Sequence, residues 1–176
     1  MNILGEKRAL EMLGDVREKF RGHIRETYEP RAKNCLTCET QGACCIDAHF
    51  VNVRISRLEA AAIRDVLTDL PREIREAVFV RVEKVVAEYG LAAGSNEKFA
   101  CPLFEKGIGC LAHTVKPLPC IQHACYDRAE DLPPDELLGE AEDKVERLNR
   151  RVYGKASLLV PLPVAIGNHL PANRHE

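Results

Sequence analysis

Tryptophan is absent from this 176-residue chain, and methionine occurs only twice. No basic tract is present, and basic residues do not interleave with aromatic ones. The 25 basic and 27 acidic residues are spread along the chain and leave a net charge of −2. Nucleic acid would therefore find no electrostatic footprint. Long apolar runs are missing as well. The N-terminus, MNILGEKRALEMLGDVREKF, lacks the apolar stretch of about seven residues that a secretory signal needs. Nothing approaches the roughly 18 uninterrupted apolar residues of a membrane span. These absences lead to the expectation of a cytoplasmic protein with neither a membrane nor a nucleic-acid partner. Catalytic signatures are also lacking: there is no glycine-rich nucleotide loop, no HExxH helix and no Ser-His-Asp order. The residues leave open whether the chain is an enzyme.

What is there is globular in composition, 45% hydrophobic and 30% charged, and long enough to bury one core. The expected fold is mainly α: one small helical domain over 1–176, built around a cysteine-rich core of loops, with one or two short strands. Leu10, Leu13, Val16, Phe20 and Ile24 recur at helical spacing and predict an N-terminal helix within 1–30, stopped by Pro30. HFVNVRI (49–55) alternates like a short strand. SRLE then fits a capping box, with Ser56 at the cap and Glu59 reaching back, and opens a helix to about 68. Pro71 suits a first helical turn, and Ile74, Val78, Val82, Val85 and Tyr89 continue that helix to Gly90. GLAAGSNEKFA (90–100) has the composition of a linker. Leu138, Ala141, Val145, Leu148 and Val152 place a C-terminal helix within 133–154. SLLVPLPVAI, broken by Pro161 and Pro163, predicts an extended tail over 155–176, packed at an edge.

The chain's distinguishing feature is eight cysteines in two clusters. CLTCETQGACC supplies Cys35, Cys38, Cys44 and Cys45, with Gly42 free to turn sharply. Cys101, Cys110, Cys120 and Cys125 lie in a second stretch, rich in Pro and Gly, that reads mostly as loop. Four disulfides would suit an exported chain, but reduced thiols need another role. A C-x2-C pair brings two sulfurs from one turn within reach of a single ion. Joined to a vicinal pair and a second cysteine loop, it makes metal binding the sharper reading. Cysteine also serves as a small buried hydrophobe, yet eight of them beside Pro, Gly and Asn do not resemble core filler. Adjacent side chains point apart in most backbone conformations. Cys44 and Cys45 therefore serve different metal atoms, or one ligates while the other packs. A metal shared between the clusters would close the long loop from Cys45 to Cys101.

CLTCETQGACC, then VNVRISRLE, then CPLFEKGIGCLAHTVKPLPC resembles the YkgJ-type CxxCxxCC family of zinc- or iron-chelating cysteine-cluster proteins. The likeness covers about residues 35–125. Matching positions are Cys35, Cys38, Cys44, Cys45, Cys101, Pro102, Leu103, Cys110, Lys116, Pro117 and Cys120. Two positions depart from the family's pattern, His113 where it has tyrosine and Lys116 where it has arginine. A ring position at 113 implies a structural role there. Lys116 keeps a positive charge beside the thiolates without arginine's bidentate fork. Cys125, just past the shared pattern, is a candidate eighth ligand, with His123 close by. His49, within five residues of Cys45, is a further candidate, although an imidazole at a strand start more often bonds its neighbours. His23, His169 and His175 fall in a helix and a tail and read as solvated.

The metal ligands expected are thus Cys35, Cys38, Cys44, Cys45, Cys101, Cys110, Cys120 and Cys125. Thiolates favour zinc, iron–sulfur clusters or copper(I) over magnesium and calcium, and scarce methionine argues against a copper carrier. The spacing does not match the bacterial ferredoxin run. Zinc or iron remains, mononuclear, polynuclear or as an iron–sulfur cluster, since seven or eight sulfurs exceed what one zinc uses. Two function classes follow. One is a metal-binding protein whose metal is structural or handled for a protein partner. The other is a metal- or iron–sulfur-dependent enzyme of protein modification or redox type, because the resemblance extends to the cysteine-rich part of flagellin lysine methylases. A thiol relay through Cys35-x2-Cys38 would want a thioredoxin-like βαβ pattern, which is missing.

Overall fold

The computed structural model describes residues 4–33, 39–46, 52–156 and 158–168. The mainly helical fold expected from the sequence is what forms. The elements run α1 (Glu6–Thr27), α2 (Ala43–Ile46), β1 (Arg54–Ile55), α3 (Arg57–Thr68), α4 (Arg72–Glu88), β2 (Phe104–Glu105), β3 (Gly109–Cys110), α5 (Leu118–Gln122), α6 (Asp135–Tyr153), β4 (Val160–Pro161) and α7 (Leu162–Gly167). Among the described residues the strands form two antiparallel pairs, β1 with β4 and β2 with β3.

Helix α3 is the centre of the packing, because its sequence is apolar on two sides. Leu58 and Ala62 face a cluster with Leu13, Phe20 and Ile24 of α1, Leu118 of α5, and Val145 and Leu148 of α6. Ala60, Ile63 and Leu67 face a second cluster with Val78 and Val82 of α4, Phe99, Leu103, and Leu162 and Ile166 of α7. The capping box read from SRLE is formed: Ser56 Oγ accepts from the Glu59 N–H at 3.2 Å, and the Ser56 N–H donates to Glu59 Oε2 at 2.9 Å. The same helix start is satisfied from across the core, where the Leu58 N–H donates to Oδ1 of buried Asn149 at 3.1 Å. Capping of this kind matters because the first N–H groups of a helix have no partner within it.

The ends of the chain are tied to this centre. Glu6 accepts from Tyr153 Oη at 2.6 Å and from Arg64 Nη2 at 3.2 Å, and the Arg57 guanidinium stacks 4.1 Å from the Tyr153 ring. Arg54 donates to the carbonyls of Ser95 and Leu159, both at 2.6 Å. That one side chain holds both the 91–98 linker and the return of the chain into β4.

Two sequence expectations need correction. The tail is not extended throughout: after β4 it forms α7, with Leu162, Pro163, Ala165 and Ile166 buried against α3 and α4. Pro163 falls in the first turn, where its missing N–H has no intrahelical partner to lose. The prolines that suggested an edge strand therefore start a helix. The 101–125 stretch is also more ordered than a loop, holding β2, β3, a 3-10 turn at His113–Val115 and α5. Of the strand expected over 49–55, residues 49–51 lie outside the described residues, and Arg54–Ile55 form β1.

Candidate metal centre

The site is assembled from three short pieces of chain. The first is α2, which carries Cys44 and Cys45. Gly42 enters it at φ +83°, and the Gly42 carbonyl accepts from the N–H groups of Cys45 at 2.8 Å and Ile46 at 3.1 Å. The tip of the Phe104 ring stands against Gly42 where a Cβ would be. The second piece is the Cys101–Cys110 hairpin. Its strands are two residues each, with Phe104 opposite Cys110; Gly107 in the turn stands at φ +84° and Gly109, which opens β3, at φ +99°. Glycine takes such backbone angles without the steric penalty a Cβ imposes. The third is α5, begun at Leu118 after Pro117 and bearing Cys120. The first two are joined directly, since the Cys101 N–H donates to the Cys45 carbonyl at 2.6 Å.

Five of the eight predicted thiols converge here. Burial pushes the Cys45 thiol up to about 12, and neighbouring Cys44, Cys101 and Cys110 push the same way. Cys101 is also raised to about 12, first by burial, while the N–H groups of Leu103 and Phe104 and the charge of Arg81 work against the rise. Cys120 is raised by burial and then by Cys101, Cys110 and Cys45. Cys110 is raised by burial, opposed by the Ala112 N–H and by Lys116. All five sulfur residues, Cys44 included, are half-buried, and among the described cysteines none is bridged. At neutral pH the raised thiols are protonated. Cys101 and Cys110 are drawn toward the thiolate by backbone N–H groups and a nearby cation, and Cys120 by Lys116, but not far enough to ionise any of them alone, while nothing among the described residues offsets the rise at Cys45.

The thiols are neighbours without being a closed ligand set. Among the described residues no three His, Cys, Asp or Glu side chains stand where they could hold one metal ion. Cys35, Cys38 and His49 lie outside the described residues. Cys125 is exposed, next to the isolated bridge between Ala32 and Tyr126. The vicinal pair departs from the expectation that its side chains point apart: the Cys45 thiol shares a hydrogen bond with Cys44 that keeps Cys45 protonated.

The remaining candidates are peripheral. His113 is exposed in its 3-10 turn, and Lys116, burial and Arg21 all disfavour its protonation. That turn is fastened to α1 by Arg21, which donates to the Thr114 carbonyl at 3.3 Å. His123 lies at the surface, and partial desolvation of its ring lowers its value. Lys116 contributes what its charge suggested, favouring the thiolate at both Cys110 and Cys120. Sequence reasoning passed over Arg81, whose contacts lie 21 and 24 residues downstream and leave no local pattern.

Comparison with protein families, with curated proteins and with solved structures finds no match. No helix among the described residues is long and apolar enough to cross a membrane.

Proposed function

We propose that this chain is a metal-binding protein that takes up zinc or iron through clustered cysteine thiolates, the metal being structural or handled for a partner. The observation that carries this reading is the convergence of Cys44, Cys45, Cys101, Cys110 and Cys120 from three separate segments into one half-buried site. Chance packing of small residues would not also aim the Leu103, Phe104 and Ala112 N–H groups at cysteine sulfurs. The donor set is all sulfur, which suits thiophilic zinc and iron and excludes the hard cations. A bound ion would supply the positive charge that makes thiolates stable there.

The chain's own contribution is to hold the thiols close while they are neutral, so that uptake releases protons rather than ordering a long loop from nothing. Lys116 and the turn N–H groups then meet the charge that appears on sulfur. Cys35 and Cys38 complete the donor set in this reading, and Cys125 is its outermost candidate.

The test is elemental analysis with a visible spectrum on protein purified without oxygen. Zinc gives a colourless protein, and an iron–sulfur cluster gives broad absorption near about 400 nm that bleaches on reduction. Alkylation under denaturing, non-reducing conditions, read by mass spectrometry, supplies the opposing outcome. Four bridges among eight cysteines remove eight hydrogens, and a native mass lighter by that amount would overturn the proposal.

A further inference from the structure

Helix α4 places Arg81 over the turn that follows Cys101. Its Nε–H donates to the Pro102 carbonyl at 3.0 Å and Nη1 donates to Glu105 Oε2 at 2.6 Å. The third nitrogen, Nη2, is buried and has no hydrogen-bond partner among the described residues. A buried donor left unpaired costs about 1–3 kcal/mol, so a fold that keeps one invites the question of what it is held for. Cys101 directly precedes the carbonyl that Nε holds and is near enough for the Arg81 charge to favour its thiolate, and its sulfur is a group that can change from poor acceptor to strong acceptor. A neutral thiol accepts weakly, whereas a thiolate accepts as an anion does.

We infer that Arg81 is a positioning residue of the thiolate site, with Nη2 the donor reserved for the Cys101 thiolate and the guanidinium offsetting the negative charge that several thiolates leave around one metal ion. This rests on the metal-binding reading above. Arg81 also fixes the shape of the ligand turn, because Nε holds the carbonyl of the residue directly after Cys101. Glu105 has the opposing role. Its carboxylate neutralises part of the Arg81 charge in a pair that is half-buried at both ends.

The alternative is that Arg81 and Glu105 merely tie α4 to the hairpin. The two readings differ in sign. A tie is broken from either end, so Arg81→Gln and Glu105→Gln would weaken metal binding alike. A charge-compensating arginine predicts opposite effects, since removing Glu105 leaves more positive charge at the thiolate.

The experiment titrates the full-length chain with Zn2+ against a chromophoric chelator, under reducing conditions at fixed pH, and repeats the titration with Co2+ to read the thiolate-to-metal absorption band. Arg81→Gln is expected to lose about tenfold or more in Zn2+ affinity, the usual effect of removing a partner of a metal ligand, and to shift the Co2+ band to lower energy. Arg81→Lys should recover part of the affinity, because it keeps the charge but not the fork. Glu105→Gln should bind at least as tightly as the wild type, and it carries the sign test even if Arg81→Gln folds poorly in a metal-free melt. Equal losses in both glutamine variants, or an Arg81→Gln protein with unchanged affinity and an unshifted band, would overturn the inference. A wild-type chain that takes up neither zinc nor iron would overturn the metal reading itself.

Discussion

Replacing Gly42 by alanine tests whether the small contact between α2 and the hairpin organises the candidate site. Two separate penalties apply. The backbone there stands at φ +83°, and holding an alanine in the left-handed region costs about 1–2 kcal/mol. The new Cβ would also meet the Phe104 ring, with Cε1 at 2.7 Å and Cζ and Cε2 nearer still. Forcing a ring out of a packed position costs about 1–3 kcal/mol. Phe104 lines an open groove between α2 and the hairpin turn, so the ring can swing away and the larger estimates for a closed core do not apply. The total expected is about 3 kcal/mol, or roughly 10 °C in Tm for a chain of this size.

A double-mutant cycle separates the two parts. In a Phe104→Ala background only the backbone term remains, so Gly42→Ala should there cost about 1 kcal/mol, which implies a coupling of about 2 kcal/mol. The assay is chemical denaturation of the metal-free protein followed by circular dichroism. Metal affinity should fall with Gly42→Ala in the parent and much less in the Phe104→Ala background, because Phe104 is paired with Cys110 and its displacement disturbs a ligand turn. An equal cost of Gly42→Ala in both backgrounds would refute the reasoning.

Three further outcomes are expected. Cys45 and Cys101 stand at about 12 in the folded chain against an ordinary 9.0; the folded state thus favours the protonated thiols, and the stability they contribute is full below pH 9 and lost as pH rises toward 12. Thermal melts of metal-free protein should decline over that window while metal-loaded protein holds, and a flat metal-free profile would contradict the raised values. Ser56→Ala removes the buried cap that serves both the Glu59 N–H and the Glu59 carboxylate and should cost about 2 kcal/mol by denaturant titration, with a loss below half that showing the box to be incidental. Cys44→Ser and Cys45→Ser should each lose metal by elemental analysis, Cys45→Ser the more severely because its sulfur is the one set among Cys44, Cys101 and Cys110; a fully loaded variant of either kind would make that cysteine a packing residue.

What the sequence made legible was governed by local rules. The N-terminal helix expected within 1–30 runs from Glu6 to Thr27, because apolar spacing and a following proline are both local. SRLE announced its capping box for the same reason. The C-terminal helix expected within 133–154 forms as α6, and Gly154 terminates it at φ +73°. Failures came where one residue type serves two structures. Pro161 and Pro163 read as strand punctuation, yet a proline in the first turn of a helix removes no hydrogen bond, and burial of Leu162 and Ile166 against α3 and α4 decided the matter. The hairpin around Cys101 and Cys110 escaped notice because strands of two residues carry no alternation. Its geometry is set by Gly107, Gly109 and cross-chain N–H groups.

The vicinal pair shows how far cysteine spacing reaches as an argument. Adjacency led to the expectation that Cys44 and Cys45 point apart, as neighbouring side chains do in most backbone conformations. Placed instead on α2, consecutive side chains are turned by about 100°, and the Cys45 thiol reaches the Cys44 sulfur. One consequence is that the pair need not divide between two metal atoms: one thiol can ligate while the other donates to it. Arg81 extends the same logic, since its donor at Nη2 has no sequence signature and depends on α4 crossing the Cys101 turn. Spacing names the sulfurs a site could use. Which of them carry the charge, and what compensates it, is decided by the helices that bring Cys45, Cys101 and Arg81 together.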